Sequence, residues 1–321
     1  MIESDDDMTE EHPTCNIILI AGFLGAGKTT LLKNILEWPG DLSSTAVLVN
    51  EFGKVGIDGE LLNGFDTEIV ELTNGCICCT MKGDLRKSVK EIMEGFRPSH
   101  LFIEATGVAD PFEVKDILRS SQLKKHIDSI KIITVVDGDL WEGREYFGPL
   151  FYNQIKAAEL ILFNKVDLLS KEDIPRYLSE VRKINPSCSL VPTHHCQIDS
   201  DVLWNPFMKT DQEPEPSFPF VNLIQHSAEE IGYVTFSYED NIPFKRDSFL
   251  HFIKSLPIKL YRLKGFALLE DKSVYINHVG GKTEWVELDK KESTRLAFVG
   301  WQVSEDQIIK DLQVCLKRDY T

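Results

Sequence analysis

With 321 residues, of which 42% are hydrophobic, the chain is long enough for two compact domains and apolar enough to bury their cores, which excludes a disordered protein. Its formal net charge of -16 argues against a broad nucleic-acid footprint, because an acidic surface must concentrate its few basic groups to neutralise phosphates. Residues 1–13 lack the basic and apolar regions of a secretory signal and no later run suits a membrane span, so a cytoplasmic protein is expected, with neither nucleic acid nor membrane as a partner.

Behind an acidic tail at 1–14, short apolar runs at Ile17–Ala21, Ala46–Val49, Leu101–Ile103, Ile132–Val136 and Leu160–Phe163 read as buried strands. Helical spacing at Lys28–Leu36, Lys82–Phe96 and Lys171–Ile184 alternates with them, which predicts a doubly wound, mostly parallel α/β domain over 15–196. Ligands of such a sheet gather at the carboxyl ends of its strands. From 197 to 229 the pattern breaks up around Glu213-Pro214-Glu215-Pro216, a linker signal. Strand-like runs at Gly232–Tyr238, Lys259–Leu269, Val274–His278, Trp285–Leu288 and Arg295–Val299, with helical stretches at Lys245–Leu256 and Glu305–Leu316, then predict a smaller α+β domain over 230–321.

The first strand runs into Gly22-Phe23-Leu24-Gly25-Ala26-Gly27-Lys28-Thr29-Thr30, a GxxxxGKT phosphate loop in its required place between strand and helix. Gly22, Gly25, Ala26 and Gly27 let backbone N–H groups wrap phosphates, Lys28 can reach the β and γ oxygens, Thr29 can ligate Mg²⁺, and Thr30 continues the helix start. Asn164-Lys165-Val166-Asp167 follows a later strand, where a base-reading loop belongs. A carboxylate at Asp167 accepts from the guanine N1–H and N2–H₂ donors, whereas adenine would leave it unpaired, so the nucleotide is GTP. Alone, NKxD also describes a surface loop; the preceding P-loop is what favours the nucleotide reading. Between these signals Glu51 follows the second strand and Glu104 the third. Glu104 is a candidate Mg²⁺-site or water-positioning acid, and Glu51 a metal ligand or switch residue, with solvated strand ends as the alternative. Asp137 has the same strand-end placement and no nameable partner.

In Asn74-Gly75-Cys76-Ile77-Cys78-Cys79-Thr80 three thiols fall within four residues just before a predicted helix. Thiolates suit Zn²⁺, and Co²⁺ or Ni²⁺ would take the same ligands. Closed structural zinc sites usually have four protein ligands, so three thiolates with an exchangeable fourth position fit metal transfer. Small buried apolar residues, a redox pair or part of an iron–sulfur cradle stay open as alternatives, while a disulfide between adjacent Cys78 and Cys79 would be strained. His194-His195-Cys196 is a second metal candidate or a polar loop, and Cys15, Cys188 and Cys315 are isolated and read as structural.

The ordered set GFLGAGKTT, NEFG, NGCICC, EATGVADP and NKVD resembles the CobW-type GTPases, relatives of the urease and hydrogenase nickel-insertion GTPases. The likeness extends into the second domain through Arg262-Leu263-Lys264-Gly265-Phe266 and Arg295-Leu296-Ala297-Phe298-Val299-Gly300. It implies a metallochaperone in which Gly25, Gly27, Lys28, Thr29, Asn164 and Asp167 hold Mg-GTP, Glu104 serves Mg²⁺ and a switch, and Cys76, Cys78 and Cys79 bind the metal delivered to a metalloprotein client. No histidine-rich tract accompanies the motifs. The CPxLVP-like segment with which eukaryotic relatives dock a methionine aminopeptidase has no counterpart in Met1–Cys15, so the client is not carried over. A homodimer closed across the phosphate site stays open. Slow intrinsic turnover is expected, because no residue is an obvious arginine finger. A small-molecule kinase is the rival that NKVD and the thiols disfavour; a metal-responsive switch or scaffold without transfer is the other.

Overall fold

A computed structural model describes residues 14–39, 42–50, 68–72, 81–204, 232–288 and 292–317. Most of the expected tail and of the expected linker, together with Glu51, Cys76, Cys78 and Cys79, lie outside the described residues.

The apolar runs form a parallel sheet of seven strands, β1 (Cys15–Gly22), β2 (Thr45–Asn50), β3 (Glu68–Leu72), β4 (His100–Glu104), β5 (Ile127–Asp137), β6 (Leu160–Asn164) and β7 (Ser189–Pro192), ordered β3-β2-β4-β1-β5-β6-β7. Side chains alternate between its faces, so β1 feeds two cores at once. Leu19 and Ala21 join Ile103 and Ile132 beneath α2 (Met81–Gly95) and α3 (Pro111–Leu118), whereas Ile18 and Ile20 join Phe102, Ile133 and Val135 beneath α1 (Lys28–Leu36). That two-sided burial is why the strands read as unbroken apolar runs. The doubly wound parallel sheet is therefore as expected.

Four elements of this half, β3, α3, the helix Gly148–Ala157 and a short helix after β7, escaped the sequence reading. The strand β3 is five residues of which two are glutamates. Two helices, α3 and α4 (Gly148–Ala157), open on prolines that look like breaks. Proline is at home in a first helical turn, where its missing N–H has no helical partner to lose. Asp110 caps α3 by accepting from the Phe112 amide at 2.9 Å. The remaining helices of this half are α5 (Asp173–Ile184) and the short α6 (Ser200–Trp204), which falls where only a linker was expected.

The second half is an antiparallel sheet, β8 (Tyr233–Asp240), β9 (Leu260–Leu268), β10 (Ser273–Val279), β11 (Lys282–Leu288) and β12 (Thr294–Trp301), in the order β11-β10-β9-β12-β8. Helices α7 (Arg246–Ser255) and α8 (Glu305–Val314) pack on one of its faces, where Phe249, Phe252, Ile308 and Leu312 meet Leu263, Ala267, Ile276 and Phe298. This is the expected smaller α+β unit. It shares a buried cluster with the parallel sheet, in which Tyr233, Tyr261 and Val299 pack among Phe23, Phe147 and Phe151.

Candidate functional site

The carboxyl edge of the parallel sheet gathers the predicted phosphate and base-reading residues. Between β1 and α1 the loop turns through Gly27, whose φ of 115° no side chain adopts readily. A Cβ there would stand 2.7 Å from Asn164 Nδ2 and 2.9 Å from Cys196 Sγ, so the position is closed to anything but glycine on two counts. Buried Lys28 curls back over the loop and donates from Nζ to the Phe23 carbonyl at 3.2 Å. One residue on, the Thr29 hydroxyl donates to Glu104 Oε1 at 2.7 Å, joining the start of α1 to the end of β4. A hydroxyl and a buried carboxylate held this close are a hard-oxygen donor pair of the kind Mg²⁺ takes.

On the other side of β1, β5 and β6 end level, with Asp137 paired to Asn164. Asn164 is buried and fully engaged. Its Nδ2 donates to the Ala26 carbonyl at 2.9 Å, and its Oδ1 accepts from the Cys196 amide at 2.9 Å and the Thr193 hydroxyl at 3.2 Å. One side chain thus fastens the phosphate loop, the NKVD loop and the loop after β7. Lys165 follows with φ 62° and turns the chain so that Asp167 stands exposed in a 3₁₀ turn at Val166–Leu168. Its Nζ pairs with Asp137 Oδ2 at 2.7 Å, and Asp137 Oδ1 accepts from the Asp139 amide at 3.1 Å. Burial pushes the Asp137 carboxyl above its ordinary range, which the Lys165 charge partly offsets. Asp137, whose strand-end position carried no assigned role in the sequence, is the anchor of the NKVD lysine.

For His194-His195-Cys196, where the sequence offered a metal candidate or a polar loop, the side chains divide. The two imidazoles are exposed with centroids 5.9 Å apart, while Cys196 is buried and donates from Sγ to the Gly27 carbonyl at 3.3 Å. Burial pushes this thiol up to about 12. Among the described residues no three His, Cys, Asp or Glu side chains are grouped to hold a metal ion. Cys196 thus packs on the phosphate loop, and its segment is further tied to α1 by Asn34 Nδ2 donating to the His195 carbonyl at 2.8 Å. Cys15, Cys188 and Cys315 are buried free thiols.

Two further features were not anticipated. Gln154 of α4 donates from Nε2 to the Gly107 and Ala109 carbonyls at 3.1 and 3.3 Å, holding the loop that follows Glu104. The second sheet also touches the phosphate loop directly. The Phe23 and Tyr261 rings meet edge to face with centroids 5.0 Å apart, and a Cβ on Gly25 would stand 2.9 Å from Val279 Cγ1. Lys282, in the strand after Val279, pairs with Asp139.

Comparison with known proteins gives two family matches. Residues 16–192 match the model described as CobW/HypB/UreG, nucleotide-binding domain, and residues 233–316 match the cobalamin synthesis protein cobW C-terminal domain. The chain is 32% identical over 192 residues to the zinc chaperone CobW of Sinorhizobium sp, covering 51% of this chain and 54% of that protein. It is 27% identical over 310 residues to the zinc chaperone YjiA of Escherichia coli K12, covering 91% and 96%. A zinc-regulated GTPase metalloprotein activator 1 from Dictyostelium discoideum is 28% identical over 274 residues, covering 72% of this chain and 57% of that one. The chain therefore spans little over half the length of two of these relatives and nearly all of the third. No helix among the described residues is long and apolar enough to cross a membrane.

Proposed function

We propose, from the premise that this chain belongs to the CobW/HypB/UreG nucleotide-binding family, that it is a GTP-hydrolysing metallochaperone of the cytoplasm, organised as a GTPase unit over 15–196 and a second unit over 230–321. It would bind Zn²⁺, or a similar transition metal, through Cys76, Cys78 and Cys79 and use hydrolysis to pass it to a metalloprotein client. The observation that carries the nucleotide part is the junction at Asn164, where a guanine-reading loop is hydrogen-bonded to the phosphate loop it must work with. The names of the relatives, zinc chaperones and a zinc-regulated GTPase, support the metal part.

In this reading the Gly22–Thr30 loop surrounds the phosphates, Lys28 turns from the Phe23 carbonyl to the β and γ oxygens, and Asp167 takes the guanine N–H donors. Thr29 and Glu104 would hold Mg²⁺, which neutralises charge on the phosphates. Glu104 also starts the loop at Gly107 that Gln154 holds, so whatever orders Glu104 is transmitted to a neighbour of the γ-phosphate position. Glu51 follows β2 in the sequence and lies outside the described residues. The chain enters the cysteine stretch from Leu72, at the end of β3 and two strands from Glu104, and returns at Met81. A hundredfold difference in metal affinity between nucleotide states needs about 2.7 kcal/mol of coupling, within what a few γ-phosphate contacts supply.

A Zn²⁺ titration against a chromogenic chelator tests this, with metal-stripped protein in Mg-GDP and Mg-GTP-analogue states and Cys78→Ala as control. One tight site lost in the variant and shifted at least about tenfold between nucleotides is expected. Binding that ignores the nucleotide would refute the coupling, and coupled binding without transfer to an apo-metalloprotein would leave a metal-responsive switch.

A further inference from the structure

Helices α7 and α8 cover one face of the second sheet, so the alternate residues of β9, beginning with Arg262, project from the other. Two valines oppose Arg262 across its flanking ladders, Val279 on β10 and Val299 on β12. Directly opposed residues share a face, with Cβ atoms about 5 Å apart. Both of these neighbours lie against the phosphate loop. Val279 is the side chain that crowds Gly25, and Val299 is buried in the cluster that contains Phe23 and Leu24. Arg262 therefore leaves the sheet between two side chains packed on the loop that wraps the phosphates.

Among the described residues Arg262 also makes no ion pair, unlike several other arginines. Arg144, Arg176, Arg246 and Arg295 pair with Glu180, Glu142, Asp271 and Glu292 at 3.0, 2.7, 2.8 and 3.4 Å. Arg262 makes no such ion pair among the described residues, and its Nε is buried without a hydrogen-bond partner. A half-buried guanidinium whose buried Nε donor is unmet is costly unless a ligand supplies the acceptor. The anion this part of the molecule is built to receive is the nucleotide triphosphate.

We infer that Arg262 is an arginine supplied in cis by the second domain to the γ-phosphate of GTP. The inference rests on the GTP-hydrolysing reading above and names a residue for it. Water attacks the γ-phosphorus, the bond from that phosphorus to the β-phosphate oxygen breaks, and GDP and inorganic phosphate leave with the protons of the water. Arg262 is unchanged throughout. Its planar fork donates to the phosphoryl oxygens while charge is redistributed over them, the role an arginine finger plays when a partner supplies it. Docking of the second domain on Phe23 and Gly25 then becomes a condition for hydrolysis.

The test compares single-turnover GTP hydrolysis, GDP affinity and affinity for GDP with aluminium fluoride in the full chain, in Arg262→Ala, in Arg262→Lys and in Lys28→Ala. Arg262→Ala is expected to slow hydrolysis by about 100-fold or more, to bind GDP within about twofold of the unaltered protein, and to lose the tightening that aluminium fluoride brings. Arg262→Lys keeps the charge and the stem but not the fork, and should still lose about tenfold; it carries the test alone if the alanine variant does not fold. Turnover in a folded Arg262 variant within threefold of the unaltered protein overturns the assignment. If the unaltered protein hydrolyses GTP no faster than Lys28→Ala, the GTPase reading itself fails and Arg262 falls with it.

Discussion

Asn164→Ala is the substitution with the largest consequence that can be worked out from the site. The side chain is 3% exposed and makes three hydrogen bonds, at 2.9 Å to the Ala26 carbonyl, 2.9 Å from the Cys196 amide and 3.2 Å from the Thr193 hydroxyl. The Thr193 hydroxyl can rotate toward another acceptor, but the Ala26 carbonyl and the Cys196 amide are fixed backbone groups that lose this partner. At about 1–3 kcal/mol for each buried group left unsatisfied, the loss is about 2–6 kcal/mol, a large part of the 5–15 kcal/mol typical of a folded domain. Chemical denaturation followed by fluorescence reads it, since Trp141 is fully buried in the same domain and hydrogen-bonded to Glu180 at 2.8 Å. Asn164→Asp is the sharper companion. It keeps the acceptor for Cys196 and Thr193 but points an oxygen at the Ala26 carbonyl, so it should destabilise through that one contact and detach the phosphate loop from NKVD. Both variants should also bind GTP more weakly at temperatures where they remain folded. A loss of less than about 1 kcal/mol for Asn164→Ala would show that the three loops do not depend on this residue, and the junction would cease to support the nucleotide reading.

Other expectations follow from burial. Phe23→Ala removes a ring packed against Phe147, Phe151 and Tyr261 at 4.8, 6.1 and 5.0 Å, and should cost about 3–5 kcal/mol by thermal or chemical unfolding; a change under about 1 kcal/mol would mean that the second sheet does not dock there. His278 is buried, with Nδ1 2.7 Å from Thr283 Oγ1, and burial lowers its pKa below 6.5. The unfolded chain then binds more protons than the folded one between the folded value and 6.5, so stability present above 6.5 is lost as pH falls through that window. His278→Gln should flatten this slope but leave the share that His100 contributes, which is lowered for the same reason; an unchanged slope refutes the assignment. Cys15 and Cys196, both pushed up to about 12 by burial, should resist a thiol-titrating disulfide reagent at pH 8 until the protein unfolds, and fast labelling of Cys196 in folded protein would contradict its packing on Gly27.

The strands of the parallel sheet were legible because burial on both faces leaves no polar alternation, and the phosphate loop because its glycines, lysine and threonine stand between a strand and a helix. Strand β3 was not, because Glu68 and Glu71 dilute a five-residue segment below any pattern. The roles of Asn164 and Asp137 were hidden for a different reason. Each depends on which strand end lies beside which: Asp137 is explained only by the pairing of β5 with β6, which brings Lys165 to it. The same holds for Cys196. Next to two histidines it looks like a metal ligand, and only the approach of the loop after β7 to Gly27 shows that its sulfur faces the phosphate loop. Composition and spacing identify chemistry within one segment; they do not say which segments meet.

The second domain is the strongest instance, since its motifs could be read only as a likeness to other chains and its place beside the nucleotide could not. Tyr233 donates to the Phe147 carbonyl and Tyr261 to that of Tyr146, which ties the second sheet to the 3₁₀ segment Gly138–Phe147. Near the start of that segment Asp139 is held by Asp137 on one side and Lys282 on the other, and the segment ends at α4, whose Gln154 holds the Gly107 loop. The second sheet thus reaches both sides of the proposed nucleotide site through packed, hydrogen-bonded elements, the NKVD lysine by way of Asp137 and the loop after Glu104 by way of Gln154. A shift of one domain against the other that left these two loops in place would break the Tyr233 and Tyr261 hydrogen bonds and the exposed Lys282–Asp139 pair. Contact of this kind is a physical condition for coupling, and becomes coupling when the two nucleotide states prefer different positions of the second sheet. An Arg262 contact to the γ-phosphate, present with GTP and absent with GDP, would supply that preference, so the residue that speeds hydrolysis would also be the one through which the second domain senses its completion.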